Sequence, residues 1–267
     1  MRRLLATSLD RASAAVRAID DDATSERTHS ASYDRGPAVA CTVAGLALVF
    51  MEYASEREIA RWLYRVVPAL YDPRFTQLAE LTVWVVVRLL AFFAIPALAI
   101  RLLLRQRVLD HGLRVDGLRG HVGGYGLLFA LVLPAVALAA SRPEFSSYYP
   151  FYSLASASWC DLAYWELLYA LHFIALEFFF RGFWLTACRR SFGSQAVYVA
   201  VVPYCMIHFT KPLLEVVAAI PAGIVLGLLA MRARSIWGGA ALHIAVAYSM
   251  DALAIWKTTG LPTRFMR

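Results

Sequence analysis

Long apolar runs punctuate this chain and leave it few possible folds. A helix needs about 20 apolar residues to cross a bilayer. Seven stretches approach that length: Pro37–Ala54, Leu81–Leu104, Val122–Ala140, Leu162–Ala187, Gln195–Thr210, Leu213–Met231 and Ile236–Trp256. In lipid every backbone N–H and C=O must be satisfied internally, so runs of this length predict helices. Hydrophobic residues make up 60% of the chain, against roughly 45–50% in a soluble domain. The expected fold is all-α, a polytopic integral membrane helical bundle of about seven transmembrane helices, with six to eight inside the uncertainty of the boundaries.

The segments between the runs refine this. Residues 1–36 are polar and carry no long h-region or cleavage site, so they are expected to form a partly disordered arm ahead of a transmembrane domain at 37–267. "IARWLYRVVPAL" at Ile59–Leu70 is too short and too charged to span and is expected to lie at the interface. The formal net charge is +7, nearly all from arginine, and the basic residues sit between apolar spans. That placement suits anionic lipid headgroups and excludes nucleic acid as the natural partner. With the N-terminus inside, the inner connections (Arg119 among them) carry 15 basic residues and the outer ones 9, which predicts a cytoplasmic N-terminus. Abundant Ala and Arg with scarce Lys suggest a bacterial cytoplasmic membrane. The four cysteines are scattered singly, so neither a zinc knuckle nor a disulfide framework is indicated.

Ionisable residues within apolar spans are costly and are functional candidates by default. In "ALEFFFRGFWL", Glu177 and Arg181 are four apart, on one face of an α-helix, where they can pair. They read either as a structural ion pair or as a general-base carboxylate held beside a guanidinium in an apolar cavity. His208 ends "YCMIH", and His243 lies within "SIWGGAALHIAVAYSMD". His208, Lys211 and Glu215 would share a stripe if the helix continued, but Pro212 is expected to start a new segment. At about 1.5 Å per residue, Glu177, His208, His243 and Asp251 lie roughly 15, 20, 10 and 22 Å from the inner ends of their spans. That permits one shared layer. His172 reads as a packing residue and Glu166 as the outer mouth of a cavity. Arg88 reads as the structural partner of a carboxylate.

Three motifs follow in order: Glu177-Phe-Phe-Phe-Arg181, Tyr204-Cys-Met-Ile-His208 and His243-Ile-Ala-Val-Ala247. Together they resemble the CAAX protease and bacteriocin-processing family of intramembrane endopeptidases, whose pattern is EExxxR, FxxxH and HxxxN. The resemblance covers roughly 160–256. It implies amide hydrolysis by an activated water, with Glu177 as base and Arg181 orienting it. His208 and His243 would hold the water or stabilise the oxyanion. The family's first glutamate is Leu176 here and its final asparagine is Ala247, with Asp251 one turn further on, or Glu215 from the loop, as the candidate replacement. The resemblance implies a membrane-anchored peptide or protein substrate of the CAAX, bacteriocin-leader or C-terminal sorting type. No cofactor is expected; the alternative is a divalent metal such as zinc on Glu177, His208 and His243. The competing functional reading is a catalytically degenerate membrane scaffold or immunity protein of the same fold. A small transporter is disfavoured because no internal repeat is visible.

Overall fold

The apolar runs become helices. The structure, a computed structural model, describes residues 2–28, 33–116 and 120–267, and of residues 2–9 and 70 the backbone alone. Residues 29–32 of the N-terminal arm and Arg119 of the basic connection lie outside the described residues. In chain order the elements are α1 (Arg2–Thr28), α2 (Gly36–Tyr53), α3 (Glu56–Val66), α4 (Thr76–Leu89), α5 (Ile95–Ala99), α6 (Val122–Ala140), α7 (Pro143–Tyr148), α8 (Trp159–Glu177), α9 (Leu185–Phe192), α10 (Gln195–Met206), α11 (Leu213–Ala233) and α12 (Trp237–Thr258). π-helical turns at Leu90–Ala94, Ile100–Leu104 and Phe178–Trp184 continue the second and fourth apolar runs without a break.

Among the described residues six helices are long and apolar enough to cross a membrane: Gly36–Tyr53, Pro73–Leu104, Val122–Ala140, Trp159–Phe192, Leu213–Ala233 and Trp237–Thr258. The fifth apolar run gives only α10, of 12 residues. The chain leaves the helix at Ile207, turns through Thr210, and restarts at Leu213 behind Pro212. The protein is a helical integral membrane protein, and the six candidate spans among the described residues fall within the expected six to eight.

The chain divides into two compact units. One comprises Met1–Ala44, Pro96–Arg119 and Phe178–Ile236, the other Gly45–Ile95, Gly120–Glu177 and Trp237–Arg267. In the first, Phe178, Phe179, Phe180 and Phe183 of the π-helical turn are each at most 1% exposed and form an aromatic core. Helices α10 and α11 pack closely because Gly223 and Gly227 present no side chain to Val197, Val201 and Tyr204.

The arm expected to be partly disordered contains α1, and the reason is acidic pairing. Ile19 and Ala23 bury against this unit. Asp20 accepts from the Ser194 N–H at 2.7 Å and its hydroxyl at 3.1 Å, at the start of α10. Asp22 meets Arg234 at 3.1 Å, and Glu26 pairs with Arg189.

His111 lies in the same unit, 1% exposed, with Nε2 2.8 Å from Gln106 Oε1. Burial disfavours the imidazolium and lowers its pKa from 6.5 to about 4, against the opposing pull of the Gly182 backbone and Asp110. The unfolded chain therefore binds this proton between pH 6.5 and 4, where the folded chain does not. Stability from His111 is complete above pH 6.5 and falls as pH drops towards 4, by about 3 kcal/mol. Unfolding in detergent should show this slope between pH 7 and 4.5, and His111→Gln should flatten it. An unchanged slope in the variant would refute the assignment.

In the second unit α12 packs against α6 and α8, and α4 against α8 and α3. Trp165, fully buried, centres a cluster with Val85, Tyr152, Tyr169, Phe173, Ala247 and Ile255. Polar ties pin these helices. Tyr248 donates to the Glu166 carbonyl at 2.8 Å, and Lys257 to the Ala140 carbonyl at 2.6 Å. The short charged segment forms α3, capped by Ser55, with Ala60 buried and Arg61 and Trp62 exposed.

Candidate active site

Glu177 is the last residue of α8 and is 0% exposed. A carboxylate this deep needs a polar partner. His243 on α12 supplies one, with Nδ1 2.8 Å from Glu177 Oε1. The imidazole is held from its flat side as well, stacked on Phe173 at 5.3 Å and 10°. Its ring plane and the nitrogen it turns towards the carboxylate are thereby fixed.

Gly239 makes that contact possible. It lies in the first turn of α12, four residues before His243, and a Cβ there would stand 2.4 Å from Glu177 Oε2. The carboxylate thus occupies the space a side chain would fill, beside a helix N-terminus whose dipole favours negative charge. A two-glycine step ahead of a histidine was the available sequence signal for this. Gly238 serves a different neighbour, the Tyr125 ring.

Asp251, also fully buried, accepts from Trp165 Nε1 at 2.7 Å. Leu176 and Ala247, where the resembling family carries Glu and Asn, are each 4% exposed, and Ala247 packs in the Trp165 cluster. The hydrophobic core has taken over those two positions. His172 is buried among the rings of Trp84, Tyr169 and Phe173, as a packing residue would be. Arg88 departs from its expected role. Among the described residues it makes no ion pair and lies instead over the Trp84 ring at 3.8 Å.

In the other unit the π-helical turn carries Arg181, 5% exposed. The spacing argument for residues 177 and 181 assumed α-helical periodicity, which Phe178–Trp184 does not follow. Such a turn is a rare local form, frequent at functional sites. The Arg181 guanidinium rests over the Tyr204 ring at 4.1 Å. Tyr204 also places His208, whose Nδ1–H donates to the Tyr204 carbonyl at 2.8 Å. A small cavity of about 10 Å³ is lined by Arg181, Tyr204, Gly223 and Gly227 among others. Lys211 pairs with Glu215, so neither extends the stripe beyond His208.

The structure thus brings Glu177 to His243, joins Arg181 to His208 through Tyr204, and gives Asp251 to Trp165. Sequence reasoning missed Tyr204 as the link and Gly239 as the spacer. No group of three His, Cys, Asp or Glu side chains is arranged to hold a metal ion among the described residues. No step below is routed through a metal.

Residues 158–249 match the model of the Rce1-like family, described as type II CAAX prenyl endopeptidase Rce1-like. No curated protein and no solved structure matches the chain. The matched segment holds all three motifs, and the family supports a membrane protease of the CAAX type in general.

Proposed function

We propose that this membrane protein, a member of the Rce1-like family over residues 158–249, hydrolyses a peptide bond close to a membrane anchor with Glu177 as the base. The carrying observation is the fully buried carboxylate in 2.8 Å contact with His243. A water beside Glu177 loses its proton to the carboxylate as its oxygen attacks the scissile carbonyl. His243, fixed by Glu177 and Phe173, stabilises the charge that develops. The protonated Glu177 then passes the proton to the departing amine as the C–N bond breaks. Arg181 and His208 are assigned supporting roles on their motif positions. Asp251 is assigned to holding α12 against α8. The substrate class is a peptide anchored by a prenyl group, a leader or a sorting helix. The arginine bias supports an N-terminus on the cytoplasmic side of a bacterial membrane.

Purified protein in detergent should cut an S-prenylated peptide once, read by mass spectrometry. His208→Ala should lower turnover by about 10²-fold without lowering the unfolding temperature. Wild-type protein that cleaves no prenylated, leader or sorting-helix peptide would overturn the reading and favour the degenerate scaffold.

A further inference from the structure

The mechanism leaves Arg88 unused. It lies on α4 within the Pro73–Leu104 span, about 18 Å along the helix from Thr76. An arginine at that depth is expensive and is ordinarily paired. Here the guanidinium sits on Trp84 and reaches the Trp84 carbonyl only at a long 3.4 Å. Glu52 and Glu56 act on it through space without forming an ion pair. Its five-donor fork is therefore largely unspent, and the side chain is half-buried rather than sealed.

Arg88 also lies within a bounded distance of the chemistry in its own unit. Ring contacts run from the guanidinium to Trp84 at 3.8 Å, to His172 at 4.7 Å, to Phe173 at 5.2 Å and to His243 at 5.3 Å. The guanidinium and the His243 ring are thus under about 20 Å apart, a span that no more than about six extended residues cover.

We infer that Arg88 is a carboxylate-recognition residue that binds the free carboxyl end of a short peptide whose scissile bond lies at Glu177 and His243. A guanidinium takes a carboxylate through two parallel N–H···O bonds, and Trp84 holds the plane flat for that approach. This rests on the protease reading and adds the end of the substrate that is read. A carboxylate of lipid origin offers the same chemistry, so the test separates the two.

The probe is a fluorescent S-prenylated hexapeptide, made with a free carboxyl end and with an amidated end, with binding followed by anisotropy in detergent. The Glu177→Gln background prevents turnover. The expected result is about tenfold tighter binding of the acid than of the amide. Arg88→Gln should abolish that preference and Arg88→Lys partly restore it. Unchanged affinity for the amide reports that each variant is folded. Equal affinity for acid and amide, or a preference that survives Arg88→Gln, overturns the proposal. Displacement by oleate together with equal acid and amide affinities assigns Arg88 to a lipid carboxylate and likewise overturns it. Because binding is read without turnover, a failure to cleave in the parental protein defeats the protease reading alone.

Discussion

Glu177→Gln is expected to lower kcat by about 10²–10⁴-fold, the range that a positioned general base contributes. The amide keeps the shape of the side chain, so its oxygen can keep the 2.8 Å contact with His243 Nδ1 in neutral form. It cannot take a proton from water. The loss should therefore fall on kcat, with KM for the anchored peptide little changed, because substrate contacts are not touched. The unfolding temperature should hold or rise, since a buried carboxylate has been replaced by a neutral group. Steady-state cleavage read beside thermal unfolding checks both halves. A Glu177→Gln protein that turns over at the parental rate removes Glu177 from the chemistry.

Gly239→Ala is the second large effect, and its sign is unusual. Alanine in place of a helical glycine ordinarily stabilises, by up to about 1 kcal/mol. Here the added methyl would come 2.4 Å from Glu177 Oε2, an impossible contact. The carboxylate is the flexible end of its side chain, so it moves and the helix stays. A displacement of about 1 Å at a reacting group is enough for roughly a 10²-fold loss. The expected outcome is a folded protein with the parental unfolding temperature and about a hundredth of its kcat. Parental activity in Gly239→Ala would mean that the carboxylate has no fixed place to lose.

The helical membrane fold was legible because hydrophobic length is written directly into the chain. Its failure at α10 has a local cause: Pro212 and the turn before it cut short a run whose composition alone reads as spanning. The motif residues were legible by type. Their partners were not. Nothing in the spacing of Asp251 from His243 announces Trp165, 86 residues earlier, as its donor. Tyr204 reads as the aromatic of a motif, and only the fold reveals it beneath Arg181 and behind His208. Arg88 looked like half of an ion pair because a buried charge usually is one. The docking of α1 was hidden for the opposite reason. A polar helix with a thin apolar seam resembles a solvated arm until its aspartates and glutamate meet Ser194, Arg189 and Arg234.

The brevity of α10 bears on how a hydrolase in lipid obtains its second reactant. Twelve residues rise about 18 Å, well short of a hydrocarbon layer about 30 Å thick. Main chain that stops being helical at such a depth is tolerated only where protein covers it or water reaches it. The bend from Ile207 to Pro212, which carries His208, is therefore main chain that either protein must cover or water must reach.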